Sequence, residues 1–215
     1  MSFGNLFASP KKKDTQISTD IRKYFTKDLD YYVVPDGVTS IRSYAFYNFW
    51  PEGELVVKLP STLTYIAPYA FSECAVKEVF IPGSVKNIDD FAFFGAALER
   101  VVFEDGIERI GEGAFMYGPL IRNVVIPDSV KYIGKDAFSG MDFKDGGATI
   151  EIGEGIEFIG IGAFESPIEH ITIHRKYGGI ADGSSTYYNS EGNLVEPIWY
   201  GGYTNNPIAV WDGER

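Results

Sequence analysis

The chain has 215 residues, of which 19 are basic and 30 acidic, for a formal net charge of −11. That acidic balance excludes nucleic acid and anionic membrane surfaces as main partners, because both demand a positive footprint. An apolar content of 45% supports a substantial core, the lone cysteine Cys74 excludes an internal disulfide framework, and no stretch approaches the ~20 apolar residues of a membrane span.

In chain order, residues 1–13 carry a lysine run and no periodicity, and are expected to form a mobile tail. Their apolar patch is too short for a signal peptide. As written, the chain is expected to carry no export signal or anchor and to be cytoplasmic, or cell-surface or secreted if it is trimmed from an exported protein. Residues 14–30 predict a capping helix with Ile17, Ile21, Tyr24 and Phe25 on one side and Ser18 or Thr19 as N-cap.

From residue 31 to residue 175 the chain repeats. Ala-Phe recurs at Ala45-Phe46, Ala70-Phe71, Ala92-Phe93, Ala114-Phe115, Ala137-Phe138 and Ala163-Phe164. Five residues before each Phe stands an isoleucine: Ile41, Ile66, Ile88, Ile110, Ile133 and Ile159. Three residues earlier comes Val38, Leu63, Val85, Ile107, Val130 or Ile156. Six copies in one register specify a stack of coils, each too small to bury its own apolar side.

Each unit opens on a pair of apolar residues spaced by two, the mark of a strand with one buried face. The pairs are Tyr32/Val34, Val57/Leu59, Val79/Ile81, Val101/Phe103, Val124/Ile126 and Ile150/Ile152; Ile171/Ile173 begins a degraded seventh unit. Pro35, Pro60, Pro82 and Pro127 end four of these strands, since proline cannot donate to a ladder. Turn pairs such as Gly83-Ser84 and Asp128-Ser129 follow. The expected fold is therefore a repeat solenoid, a right-handed coil with a parallel β-sheet on one face and short helical or irregular turns on the other. At ~4.8 Å per strand the sheet would run roughly 30 Å. The alanines should mark close approach between coils, and the phenylalanines should stack as a buried spine.

The unit V-x-I-P-x-S-V-x-x-I-x-x-x-A-F, as in residues 79–93 (VFIPGSVKNIDDFAF) and 124–138 (VVIPDSVKYIGKDAF), resembles the BspA-like leucine-rich repeat. The resemblance covers about Tyr31 to Ile173. It implies a leucine-rich-repeat solenoid, usually exported, with a role in protein binding or adhesion, and it says little about the ligand.

Residues 176–215 lose the repeat and predict an aromatic-rich C-terminal cap. They hold Tyr187, Tyr188, Trp199, Tyr200, Tyr203 and Trp211, with a hairpin expected from Ser185–Ser190 and Leu194–Tyr200. These aromatics serve either as the underside of the cap or as a carbohydrate-stacking platform.

No catalytic constellation emerges, and the expectation is a non-enzyme without cofactor or metal. His170 and His174 flank Thr172 on one strand but lack further ligands for a metal. Cys74 falls in a column of small or apolar residues (Phe49, Ala96, Gly118, Met141, Pro167), which predicts a buried, inert thiol. The outward side of the sheet is more informative. Between the inward pairs stand Val33, Lys58, Phe80, Val102, Val125, Glu151 and Thr172, and the column before them includes Tyr31, Glu78 and Arg100. Phe80, Val102 and Val125 place apolar groups on three successive coils where solvent is expected, which predicts a protein-binding stripe. Tyr31, Val33, Glu78, Phe80, Arg100, Val102 and Val125 are the candidate contacts. A monomer with a protein partner is expected; carbohydrate is the alternative ligand.

Overall fold

Branched side chains alternating about an extended backbone bury one edge of every unit, and the strands they build recur once per coil. A computed structural model describes residues 16–17, 27–28, 31–50, 55–118, 123–141, 148–166, 168–174, 181–182 and 208–211. In chain order its strands are β1 (Gln16–Ile17), β2 (Lys27–Asp28), β3 (Tyr31–Val33), β4 (Ser40–Ile41), β5 (Leu55–Lys58), β6 (Tyr65–Ile66), β7 (Val76–Ile81), β8 (Asn87–Ile88) and β9 (Arg100–Phe103). They continue as β10 (Arg109–Ile110), β11 (Asn123–Ile126), β12 (Tyr132–Ile133), β13 (Ala148–Ile152), β14 (Phe158–Ile159), β15 (Ile168–Ile173), β16 (Ala181–Asp182) and β17 (Ile208–Trp211). Apart from the antiparallel β2–β3 pair, every described ladder is parallel, so the chain is a parallel-strand β-solenoid.

The expected inward columns are buried. Val57, Val79, Ile81, Val124, Ile126, Ile150, Ile152 and Ile171 all face the core, as do the six repeat isoleucines. The spine phenylalanines stack ring on ring, with centroids 4.3 Å apart for Phe46–Phe71, 4.8 Å for Phe71–Phe93, 5.1 Å for Phe93–Phe115, 5.2 Å for Phe115–Phe138 and 5.6 Å for Phe138–Phe164. Each such ring contributes about 1.5–3 kcal/mol by leaving water. The alanines lie where the backbones meet. Phe71 N–H donates to the Ala92 carbonyl at 2.7 Å, and Phe93 N–H to Ala114 at 2.8 Å.

Four features differ from the sequence expectations. The described turns before and after Ala-Phe contain no helix. Residues two before the spine Phe (Tyr44, Tyr69, Phe91, Gly113, Asp136, Gly162) and two after it (Asn48, Glu73, Gly95, Tyr117, Gly140) have φ between 52° and 69°. Left-handed residues on both sides of the first five Ala-Phe pairs, and before the sixth, break any helix and aim the backbone amides at the next coil.

Second, the isoleucine column belongs to a sheet of its own. Two-residue strands make an eight-stranded ladder, β1-β4-β6-β8-β10-β12-β14-β16. A dipeptide is too short to show alternation, so this sheet has no period in the sequence. Third, the long strands do not form one sheet. They divide into β2-β3-β5-β7-β9 and β11-β13-β15-β17, with no ladder between β9 and β11 among the described residues. Beside this break Phe103 packs edge to face on Phe115 at 5.5 Å and 84°.

Fourth, the described parts of the expected N-terminal capping helix, Gln16–Ile17 and Lys27–Asp28, are strands. Ile17 pairs with Ile41 in parallel, and Lys27 with Tyr32 antiparallel. Open ladder edges on the first coil satisfy these amides better than a local helix does. At the other end β16 and β17 extend the ladders of β14 and β15. The expected tail, the remainder of the capping segment and the expected C-terminal hairpin lie outside the described residues.

The close packing is directly testable. Phe93→Ala or Phe115→Ala is expected to lower stability by about 3–5 kcal/mol through the cavity left in the spine. Ala114→Leu should lower the melting temperature because the coils leave no room for the added volume. An unchanged melt for Ala114→Leu would refute the close-approach argument.

Candidate functional site

Because Val79/Ile81 and Val101/Phe103 point inward, the residues between and beside them present the outward face of the long strands. Val33, Lys58, Phe80 and Val102 follow one another in register across β3, β5, β7 and β9. Phe80 and Val102 are half-buried, Lys58 is exposed, and Val33 is 38% exposed. In the adjoining column Glu78 pairs with Arg100. Arg100 Nη1 donates to Glu78 Oε1 at 2.7 Å, and its guanidinium lies 5.6 Å from the centre of the Phe80 ring. The ion pair, being exposed, contributes no more than about 1 kcal/mol; it positions the guanidinium over the ring.

Val125 is 59% exposed but stands on β11, beyond the break, where it pairs with Glu151. The expected three-coil stripe is thus a two-coil strip, Phe80–Val102, with Val125 outside its ladder. The Tyr31 backbone pairs with Val56; its side chain lies outside the described residues, as do those of the C-terminal aromatics.

The remaining sequence candidates are placed as follows. Cys74 is fully buried beside Ala96 in the core, and burial pushes its thiol up to about 12. His174 Nε2 stands 3.8 Å from Glu151 Oε2, while the His170 side chain is not among those described. Among the described residues no three His, Cys, Asp or Glu side chains gather as a metal site, and no helix is long and apolar enough to cross a membrane.

The Ala-Phe corner holds a second surface that the sequence reasoning missed. Tyr44, Tyr69 and Phe91 stack face to face, with centroids 5.1 and 5.2 Å apart. Tyr47 stands edge-on to Tyr44, Phe94 to Phe91, and Tyr117 to Phe94. These six rings make one aromatic ridge across four coils. The signal lay in the register, because the position two before the spine Phe is aromatic in the first three units and Gly or Asp in the next three.

The family model of the BspA-type leucine-rich repeat region matches residues 39–171 in six copies. The chain belongs to the BspA-type leucine-rich repeat family. No curated protein matches it. In this BspA-type repeat the motif positions have structural duties: the isoleucines and Ala-Phe build the core, and the turn hydroxyls of Thr62 and Ser129 link coils. Ser129 Oγ accepts from Gly106 N–H and donates to the Ile107 carbonyl, both at 2.7 Å. Thr62 joins Gly37 and Val38 in the same way. The fold therefore accounts for these motif positions. A stack of this kind serves as a repeat-based binding module.

On the short-strand sheet, the Tyr65 hydroxyl donates to Asp89 Oδ2 at 2.5 Å. That bond, together with burial, holds the phenol up to about 12. A raised phenol pKa stabilises the fold fully below the unfolded value of about 10; the contribution is lost as pH rises through 10 toward 12. The stability difference between wild type and Tyr65→Phe, measured by urea unfolding at fixed pH, should be constant below pH ~10 and change only above it. Cys74 should react with a thiol reagent only as fast as the protein unfolds. Rapid labelling of the native protein would show that the corner opens locally.

Proposed function

We propose that the protein is a non-catalytic protein-binding module that docks a partner on the outward face of its first long-strand sheet. The observation that carries this reading is the register of Phe80 and Val102, two apolar side chains in contact with solvent on adjacent strands. Glu78 and Arg100 supply the polar rim that interfaces usually have. Phe80 is the anchor, since aromatics near a patch centre tend to dominate binding energy. Val33 extends the apolar surface along the same ladder beyond Lys58, and Val125 offers a separate contact on β11.

The test is a double substitution, Phe80→Ser with Val102→Thr, which leaves every fully buried position untouched. The variant is expected to melt within a few degrees of the wild type and to lose the partner that the wild type captures from extract of the source cell. Capture of the same partner by the folded variant would remove this surface from consideration.

A further inference from the structure

The junction between the coil of β9 and the coil of β11 is bonded on three sides and open on the fourth. The short strands β10 and β12 pair there, Arg109 with Tyr132 and Ile110 with Ile133. Across the corner Gly113, Phe115 and Tyr117 donate their amides to the carbonyls of Lys135, Ala137 and Ser139 at 2.8–2.9 Å. At the turn the Ser129 hydroxyl bridges Gly106 and Ile107. Along the long strands no ladder joins β9 to β11 among the described residues, whereas β7 pairs with β9 and β11 pairs with β13.

Solvent marks the same place. On β7 and β11 the inward residues Val79, Ile81, Val124 and Ile126 are each 1% exposed or less, but Val101 and Phe103 on β9 are 5% and 9% exposed. On the outer face Val125 is more than half exposed, while its counterpart on β9, Val102, is half-buried.

The backbone carries donors directed at this seam. Amides at alternate positions of a parallel strand point to the same neighbour. Those of outward parity point to the preceding coil: Glu104 donates to the Ile81 carbonyl, Gly153 to Ile126 and His174 to Ile152, at 2.9–3.0 Å. By that alternation the amides of Asn123 and Val125, both outward on β11, face β9, where no ladder receives them. Spreading the long-strand wall at this junction therefore breaks no ladder. The same movement between β7 and β9, or between β11 and β13, must break a row of backbone bonds.

We infer that the coil stack bends at the β9/β11 seam, with the short-strand sheet and the Ala-Phe corner as the flexure. The Phe80–Val102 strip lies wholly on one side of the seam, and Val125 and Glu151 lie on the other. Bending changes the angle between these two parts of the outward face and leaves each part intact. The flexure is a property of the backbone and is independent of what either surface binds.

Two measurements on the full chain test it. In a Cys74→Ala background, nitroxide labels are placed at exposed positions of the same two coils on different walls. Lys58→Cys with Glu151→Cys reports on the long-strand wall, and Thr64→Cys with Glu157→Cys on the short-strand wall. Each pair spans four strand spacings, roughly 19 Å. Pulsed electron resonance should return a broad distance distribution for the first pair and a narrow one for the second. A long-wall distribution no broader than the short-wall one overturns the flexure.

The second measurement needs no substitution. The amides of Val102 and Val125 each follow a valine, so their intrinsic exchange chemistry matches. Val102 lies in the β7–β9 ladder, and Val125 faces the seam. In deuterium exchange followed by nuclear magnetic resonance, Val125 should exchange about tenfold or more faster than Val102. Equal protection of the two amides would close the seam and overturn the proposal.

Discussion

At the corner between coils the amide of each spine phenylalanine from Phe46 to Phe138 donates to the carbonyl of the alanine one coil further on, at 2.7–2.8 Å. This bond sets the pitch of the stack. It brings backbones close enough that only a methyl group fits beside it, which explains the alanine column. It also spaces the following side chains by the distance at which aromatic rings stack, which explains why phenylalanine comes next. The buried spine is therefore a consequence of the backbone bond, and the bond in turn needs left-handed residues on either side to point its amides along the stack. Core, corner and sheet follow from one repeated donor and acceptor.

What could be read from the sequence was whatever a side chain reports about water. The inward pairs, the isoleucines and Ala-Phe are apolar because almost all of those described are buried, Leu59 only partly, so the solenoid and its core were legible. The backbone path between them was not. Ile41 and its equivalents sit on two-residue strands, below the length at which alternation registers. Tyr44, Tyr69 and Phe91 adopt a left-handed backbone that their residue types disfavour, because the inter-coil bonds outweigh the local preference. The same competition accounts for Gln16–Ile17. An amphipathic spacing suggested a helix, but the free ladder edge of the first coil takes the segment as a strand. The break between β9 and β11 has no counterpart in the side-chain pattern, which alternates alike on both strands.

The candidate surfaces were legible to different degrees for related reasons. Phe80, Val102, Glu78 and Arg100 lie on strands, where period two assigns each side chain a face, so they were found. That Val125 leaves the ladder could not be found, because alternation says which way a residue points and nothing about whether neighbouring strands remain bonded. The aromatic ridge was missed although its residues recur in register, since its position was assigned to a short helical or irregular turn and no outward face was read for it. In this fold the turns are as periodic as the strands, so corner columns carry as much surface information as sheet columns do.

That last point bears on why the corner differs along the chain. In the first three units the position two before the spine Phe is Tyr44, Tyr69 or Phe91, and in the next three it is Gly113, Asp136 or Gly162, all in the same left-handed conformation. A stacked pair of rings adds about 0.5–1.5 kcal/mol beyond burial, which roughly cancels the left-handed cost for a residue bearing a Cβ. Phe91 even covers the following glycine, since a Cβ on Gly113 would come within 2.5 Å of its ring. The fold is thus nearly indifferent between an aromatic and a glycine at this column. A position to which stability is nearly indifferent is free to carry either residue type, which is why rings in the first three units and Gly or Asp in the next three share one backbone path.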